Sequence, residues 1–514
     1  VNDVFTNTTS SVLHVEYDIV PVSADACEGD LETIVLTVNP KPVLDPNLDA
    51  TVCSDAASGI VLATNGTSVG AAGYNIMDIR VAGGLIPAGG NAVIGNGQAA
   101  NAMASDIFTN PTAAALTVEY DVVPVSGAGC LGDMVTITLT VNPEPVMDPN
   151  LNASVCSDEP SGITLDTDGI SVAAASYNIN AIRISGGLIP AGGNAVTGNG
   201  QSDNAIAGDI FTNTTSFVLT VEYDVVPVEA GGCEGDQITI TLTVNPEPVM
   251  DPNLDDAVCS DLPSGITLNT NGVSVAAANY NIIDIRVDAA LTAGAGNATI
   301  GNGQAANAIA ADIFTNTTAG ALTVEYDVVP VSAAGCEGNM ETIILTVNPE
   351  PVMDPNLDAT VCSDLPSGIT LNTTGTSVAA ANYNIMAIRV DAGLTAGGGN
   401  ASTGNGQTAS AIVNDVFTNT TNGSLTVEYD VVPVSGAGCL GDMVTVTLTI
   451  DPEPVLDPNL DAGVCSDEPS GIILNTNGTS VAAANYNIMA IRVDAGLVAD
   501  AGNATSGNGQ APNA

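Results

Sequence analysis

The chain has 514 residues and is strongly acidic, with 57 Asp and Glu against 6 Lys and Arg, for a formal net charge of −51. Nucleic acids and anionic lipids are bound through clustered basic residues, so this balance excludes a nucleic-acid-binding protein. With 1 His in the whole chain, a histidine-based active site could occur only once. A hydrophobic content of 45% is sufficient for packed cores, so the acidity does not predict disorder.

The sequence repeats with a period of 103 residues and no insertion or deletion. A Pro-x-Pro motif such as Pro143-Glu144-Pro145 occurs in every period, and proline neither donates to a sheet ladder nor varies its φ angle, so we place the domain links there. We expect the chain to be an excerpt from a longer array. The predicted domains are the C-terminal part of a repeat at 1–39, four whole repeats at 40–142, 143–245, 246–348 and 349–451, and the N-terminal part of a repeat at 452–514.

Two alternating runs precede each link. In 116–122 and 135–141, apolar residues alternate with Thr, Glu and Asp, which is typical of half-buried strands, and the Gly-rich segment 126–133 between them predicts a hairpin loop. After the link, residues 161–165 and 177–184 are predicted to be strands, and the Gly- and Asn-rich segment 186–200 is predicted to be a long loop or an irregular edge.

About seven short strands in roughly 100 residues predict an antiparallel β-sandwich of immunoglobulin-like type. The expected fold class is therefore all-β, with a tandem array of immunoglobulin-like antiparallel β-sandwich domains that forms an extended rod. No segment has the 3.6-residue apolar period of a helix over a useful length.

The cysteines fall at two fixed positions in each period, which predicts structural disulfides in an exported protein. Three pairings are open: Cys53–Cys130 within one repeat, Cys27–Cys53 across a link, and Cys53–Cys233 from one repeat to the hairpin of the next. We favour the first because domains usually contain their own disulfides. The cysteines predicted to form these bonds are Cys53, Cys130, Cys156, Cys233, Cys259, Cys336, Cys362 and Cys439.

One arginine per period lies in an Ile-Arg-Val or Ile-Arg-Ile motif. A single cation among many acids predicts a structural ion pair, with a carboxylate at the end of a strand as partner. The neighbouring pair Glu119 and Asp121 is predicted to be a solvated pair that aids solubility, since the two carboxylates project from one strand and do not flank a cleft. The arginines are Arg80, Arg183, Arg286, Arg389 and Arg492.

Acids and amides lie close together in sequence around each link, and such oxygen ligands suit Ca²⁺. We favour a merely solvated acidic surface, and calcium sites at the links are the alternative hypothesis. The residues proposed as ligands are Glu144, Asp148, Asn150 and Asp158 at one link and Glu247, Asp251, Asn253 and Asp261 at the next. Asn-x-Ser/Thr sequons are candidate glycan sites or a consequence of composition; among them are those at Asn7, Asn65, Asn213, Asn316 and Asn419.

Three motifs carry a family resemblance: Gly129-Cys130-Leu131-Gly132-Asp133, Asn142-Pro143-Glu144-Pro145 and Val155-Cys156-Ser157-Asp158. This combination resembles the PKD-like, immunoglobulin-like repeats of giant Bacteroidetes surface proteins, including the SprB-type gliding-motility adhesins exported by type IX secretion. The resemblance covers every period and implies an exported stalk or adhesive filament on the cell surface.

We therefore predict that the chain is not an enzyme but the structural shaft of a long cell-surface adhesin filament, used in surface attachment and gliding motility. The alternative is a multivalent binding module in which each repeat carries the same carbohydrate or calcium-bridged ligand site. The predicted partners are neighbouring repeats of the same chain, the surface motility or secretion machinery, and external surfaces or glycans. No membrane insertion is expected in this segment.

Overall fold

The computed structural model describes residues 2–513, and the regular structure of these residues consists entirely of β-strands. The predicted all-β class is confirmed. The chain divides into two compact units, one formed by the residues up to Glu247 with Val273–Val275, the other by Pro248–Gly272 with the residues from Ala276 onward. Each unit contains two copies of the same sandwich.

In the first unit, a hairpin of two strands precedes two complete repeats. The hairpin consists of β1 (Leu13–Ile19) and β2 (Glu32–Val38). Repeat 40–142 contains β3 (Ala50–Cys53), β4 (Ala71–Val81), β5 (Ile86–Pro87), β6 (Gly95–Gln98), β7 (Phe108–Thr109), β8 (Leu116–Ser126) and β9 (Val135–Asn142). Repeat 143–245 contains β10 (Ala153–Cys156), β11 (Ser176–Ile184), β12 (Leu188–Pro190), β13 (Gly198–Gln201), β14 (Phe211–Asn213), β15 (Leu219–Val228) and β16 (Ile238–Asn245).

The second unit has the same strands in the same order. Repeat 246–348 contains β17 (Asp256–Cys259), β18 (Ala277–Val287), β19 (Leu291–Ala293), β20 (Gly301–Gln304), β21 (Phe314–Asn316), β22 (Leu322–Ser332) and β23 (Glu341–Asn348). Repeat 349–451 contains β24 (Ala359–Cys362), β25 (Ala380–Val390), β26 (Leu394–Ala396), β27 (Gly404–Gln407), β28 (Phe417–Asn419), β29 (Leu425–Ser435) and β30 (Val444–Asp451). The last residues form β31 (Tyr486–Ile488) and β32 (Gly507–Gln510).

Each repeat consists of a five-stranded sheet and a two-stranded sheet. In repeat 40–142 the larger sheet has the order β3-β9-β8-β4-β6, and β5 pairs with β7. Neighbouring strands are antiparallel except β3 and β9, which run parallel with Cys53 opposite Asn142. The predicted sandwich is confirmed, with this one parallel pair as a difference from a purely antiparallel fold.

The core of each repeat lies between the two layers. The apolar residues of the alternating runs point inward, so that Val118, Tyr120, Ile137 and Leu139 are fully buried, while the threonines of β9 point outward. Burying a large apolar side chain contributes about 1.5–3 kcal/mol to folding, so this alternation alone orients the two strands.

Two ends of a repeat can be defined. At the leading end, the incoming Pro-x-Pro link meets the tip of the β8–β9 hairpin: a Cβ at Gly132 would lie 2.2 Å from the carbonyl oxygen of Pro42. At the trailing end, β9 finishes beside Cys53 and continues into the next link. The β3 strand therefore ends at the trailing end of its repeat.

Two predicted elements of repeat 143–245 differ in the structure. Residues 161–165 are not a strand, because their backbone forms hydrogen bonds with the turns at 203–209 instead of with a neighbouring strand. The Gly162 N–H donates to the Ala207 carbonyl, and the Leu165 N–H donates to the Asp203 carbonyl. Residues 177–184 lie in β11 as predicted. The irregular edge predicted at 186–200 contains the short strand β12 and the start of β13, which pairs with β11 across a bulge.

Candidate functional site

The junction between successive repeats is covalently closed by a disulfide. In the first unit, Cys53 at the end of β3 bonds Cys233 in the β15–β16 hairpin tip, with Cα atoms 5.5 Å apart. In the second unit, Cys259 bonds Cys439 with the same Cα separation. Each bond joins residues 180 apart and connects the trailing end of one repeat to the leading end of the next. This is the third of the predicted pairings.

The favoured pairing of Cys53 with Cys130, within one repeat, is therefore wrong. Cys130 lies in the hairpin tip before β9, and Cys53 lies opposite the last residue of β9. The eight residues of β9 span about 25 Å at 3.3 Å per residue, whereas disulfide-bonded Cα atoms lie no more than about 7 Å apart. The pairing across a link is also wrong, because Cys27 is free.

Of the eight cysteines predicted to form disulfides, six do so in this chain. Cys156 and Cys336 are disulfide-bonded, like the four described above. Cys130 and Cys362 are free, which corrects the prediction for these two positions. No residue of the chain lies 180 positions before Cys130 or 180 positions after Cys362, so neither cysteine can form a bond of the observed spacing within the chain.

The Pro-x-Pro link is packed into the junction. Pro143 and Pro145 are buried, and Glu144 between them is half-buried. The hairpin tip of the same repeat lies directly against the link, since a Cβ at Gly235 would lie 1.9 Å from the Pro145 carbonyl oxygen. Only glycine permits this approach, which explains the second glycine of the Gly-Cys-x-Gly motif.

Glu144 lies in an acidic environment at this junction. Burial, and then the charges of Asp55 from the preceding repeat and Asp236 from the hairpin tip, raise the pKa of Glu144 to about 7. In the second unit, burial together with Asp261 and Asp442 raises the pKa of Glu350 in the same way. The link glutamate is thus held where its charge is disfavoured.

The structure does not assemble the predicted calcium ligands. Glu144 lies at the leading end of repeat 143–245, whereas Asp158 follows Cys156 at the trailing end and lies near Glu247. Asp148 instead accepts hydrogen bonds from the backbone and side-chain nitrogens of Asn150, at 2.9 and 3.0 Å.

Asp251 and Asn253 form the same local turn as Asp148 and Asn150. Asp261 lies near the link glutamate Glu350, one repeat further along the chain than Glu247. Within residues 2–513, no group of three or more His, Cys, Asp or Glu side chains is arranged to hold a metal ion.

The periodic arginines form the predicted ion pairs in four repeats. Arg80 makes a bidentate contact with Asp121, at 2.5 and 2.9 Å, and its Nε donates to Glu119 at 3.0 Å. The arginine holds the pKa of Asp121 at about 2. The partners lie within β8 and not at a strand end, so the prediction that Glu119 and Asp121 are merely solvated is wrong.

The same ion pairs recur, with one variation. Arg183 contacts Asp224 and Glu222, Arg286 contacts Asp327 and Glu325, and Arg389 contacts Asp430 and Glu428. A third carboxylate joins in two repeats only, Asp78 beside Arg80 and Asp284 beside Arg286. Arg492 has no ion pair among the residues that the structure describes.

A buried Tyr–Asp pair was missed by the sequence analysis. Tyr120 Oη donates to Asp106 Oδ2 at 2.8 Å, and the Ala92 N–H donates to Asp106 Oδ1 at 2.7 Å. Burial raises the pKa of Asp106. The signal was present, because an aspartate lies 14 residues before Tyr120 and before the equivalent tyrosine of each other period. The other pairs are Tyr223–Asp209, Tyr326–Asp312 and Tyr429–Asp415.

One group of sequons has a structural explanation. Asn213 is buried, and its Nδ2 donates to the Val244 and Phe217 carbonyls while its Oδ1 accepts from Thr215. Asn110 makes the same bonds although proline follows it, which bars glycosylation. The Asn-x-Thr pattern at this position therefore serves a turn that ties strands together.

Comparison with known proteins gives a family and a set of solved structures. A model of the PKD-like domain matches residues 1–42, 89–145, 190–248, 267–351 and 395–454. No curated protein sequence matches the chain. No helix long and apolar enough to span a membrane occurs in residues 2–513.

Three solved structures are similar to the chain at low sequence identity. The protocadherin GammaB4 extracellular domain is 10% identical with a TM-score of 0.20, covering 87% of this chain and 79% of its own. Drosophila N-cadherin EC1-4 is 11% identical with a TM-score of 0.18, covering 74% of this chain and 92% of its own. SGBP-B of the Bacteroides ovatus mixed-linkage glucan utilization locus, solved in complex with a mixed-linkage heptasaccharide, is 12% identical with a TM-score of 0.13, covering 64% of this chain and 76% of its own.

The family match recurs along the chain and extends over more than half of it, and it includes the hairpin and link motifs from which the resemblance was inferred. The PKD-like part of that resemblance is confirmed. The chain is a tandem array of structural or binding modules, and it belongs to the PKD-like domain family.

Proposed function

We propose that the chain forms part of the structural shaft of a long adhesin filament with which bacterial cells attach to surfaces. The observation that supports this proposal is the junction, which is built in the same way in both units from a disulfide, a buried Pro-x-Pro link and a glycine-tipped hairpin. A junction of this kind limits movement between successive repeats. Such a restriction benefits a spacer more than an independent binding domain.

The disulfides also support an extracellular location. Disulfides persist in oxidising surroundings and are rare in the cytosol, and six cysteines of this chain are bonded. Attachment to the cell surface, a role in gliding motility, export by type IX secretion and contact with the motility machinery rest on the family resemblance alone. We propose them as the cellular setting of the shaft.

Single-cell adhesion measurements test the shaft against a multivalent binder. In-frame deletion of one or two repeats from the full-length surface protein should shorten the distance at which a cell detaches from a surface, while the detachment force stays constant. If each repeat binds a glycan, the detachment force should instead fall with every repeat removed, because avidity depends on the number of sites. That result would contradict the shaft.

Calcium binding at the links stays a prediction. Isothermal titration of the full chain with calcium chloride tests it directly, and a stoichiometry of one ion per link would support it. The absence of any saturable heat at millimolar calcium would rule it out, since extracellular modules bind calcium with dissociation constants of about 10⁻⁴–10⁻³ M.

A further inference from the structure

The disulfides create covalent shortcuts along the chain. Cys53 is bonded to Cys233, and Cys259 is bonded to Cys439, each across 180 positions. The two bonds do not overlap, because the first ends before the second begins. Their closed loops contain residues 54–232 and 260–438, which together account for more than two thirds of the chain.

A tensile force applied to the two chain ends follows the shortest covalent path. It runs along the chain to Cys53, crosses the disulfide to Cys233, follows residues 233–259, crosses to Cys439 and continues to the other end. Less than a third of the 514 residues lie on this path. The residues inside the two loops cannot be pulled out by a force that the disulfides carry.

The middle stretch of this path is short and runs from Cys233 to Cys259. Residues 233–259 include β16, the Pro-x-Pro link 246–248 and β17, all of which are extended or restricted by proline. Strand β16 is held on both sides, by β10 and by β15. This stretch therefore combines two strands with the proline link, the end of the hairpin tip and the turn of Asp251 and Asn253.

Most of the buried core residues lie inside the two closed loops, whereas the core residues of β16 and β30 lie on the path. The buried tyrosines Tyr120 and Tyr223 lie in the first loop, and Tyr326 and Tyr429 lie in the second. Cys156 and Cys336 are also disulfide-bonded, and the path traced above does not depend on them.

We propose that these two disulfides act in series as a covalent bypass, which carries tension past the residues inside the two loops so that these residues are not unravelled by a pulling force. The bypass goes beyond the role of a shaft and depends only on covalent connectivity. It holds for any function in which the chain is pulled from its two ends.

Single-molecule force spectroscopy of the full chain, tethered at both termini, tests the bypass. The oxidised chain should reach a final contour length of roughly 500 Å, since at about 3.4 Å per residue only the residues on the path can extend. After reduction with dithiothreitol, which converts each disulfide to two thiols, the same chain should extend to roughly 1,700 Å. Equal contour lengths with and without reductant would overturn the proposal.

A variant assigns the effect to one bond. Replacing Cys53→Ser and Cys233→Ser together should release one loop and add roughly 600 Å under oxidising conditions. Cys130→Ser is the matched control, because Cys130 occupies the same hairpin position but is free, and it should add nothing. If Cys130→Ser lengthens the chain as much as the double variant, the bypass is wrong. The reduction experiment on the unmodified chain gives the answer even if the variant folds poorly.

Discussion

The hairpin of β1 and β2 and the hairpin of β8 and β9 have nearly the same sequence and the same pairing, but very different surroundings. Tyr17 lies opposite Ile34 in the first, as Tyr120 lies opposite Ile137 in the second. Within this 514-residue chain Ile34 is 54% exposed, whereas Ile137 is only 1% exposed because it packs with Ile60, Leu62 and Tyr74 from the first half of its repeat. The two strands of a hairpin thus pair without the rest of the repeat. Burial of their apolar side chains requires the residues between the Pro-x-Pro link and the hairpin.

The largest expected difference between the two hairpins comes from their isoleucines. Ile137→Ala should destabilise repeat 40–142 by about 2–5 kcal/mol, because it leaves a cavity in a packed core. Ile34→Ala should change stability by less than about 0.5 kcal/mol, as exposed positions usually do. Hydrogen exchange of the full chain, read by mass spectrometry on peptides from each hairpin, measures both. Similar losses of protection would mean that the first hairpin is packed after all.

The tyrosine hydroxyls give the next largest difference. Tyr120→Phe removes the donor to the buried Asp106 carboxylate and should destabilise the repeat by about 1–3 kcal/mol. Tyr17→Phe removes a bond to Asp3 at an exposed site, where water can replace the donor, so we expect little effect. Chemical denaturation followed by the same exchange experiment compares the two, and an equal effect would contradict the role assigned to burial.

The glutamates of the Pro-x-Pro links differ in burial, as the two hairpins do. Glu144 is half-buried, whereas Glu453 at the equivalent position is exposed. A pKa raised from 4.5 to about 7 means that Glu144 stabilises the fold fully below pH 4.5 and that this contribution is lost as the pH rises through 7. Glu144→Gln should therefore stabilise the chain at pH 8, on the order of 1 kcal/mol after solvent screening, with no difference at pH 4.

Thermal melting at several pH values measures this dependence. Glu453→Gln serves as the control and should leave the melting profile unchanged at every pH. A stabilisation by Glu144→Gln that is the same at pH 4 and pH 8 would show that the charge of Glu144 is not its cause.

The smallest expected difference concerns the outward carboxylates. Asp121 is paired with Arg80 and its pKa is lowered from 3.8 to about 2, whereas the equivalent Asp18 accepts a hydrogen bond from Thr33 and has no ion pair among the described residues. The contribution of Asp121 is present above pH 3.8 and is lost as the pH falls through 2. Asp121→Asn should therefore flatten the acid limb of the stability profile, and Asp18→Asn should not. Circular dichroism between pH 5 and pH 2 distinguishes them.

Much of the fold could be predicted because it depends on local alternation. Period-two patterns placed β8, β9 and β11, and exact repetition of the cysteines and arginines showed that each repeat uses the same contacts. The arginine ion pairs were predicted for the same reason, since one cation among many acids must find a partner. The partner itself was missed, because a strand pattern does not show which neighbouring strand lies opposite.

The sequence alone determined the period, the strand hairpins, the position of the links and the presence of disulfides. Only the tertiary structure decided which cysteines meet, because β3 runs parallel to β9 and ends a full strand length from the hairpin tip of its own repeat. The same geometry separates Glu144 from Asp158, which are close in sequence but lie at opposite ends of one sandwich. Distance along a chain predicts contact within a hairpin, but across a β-sandwich the length of the strands determines which residues meet.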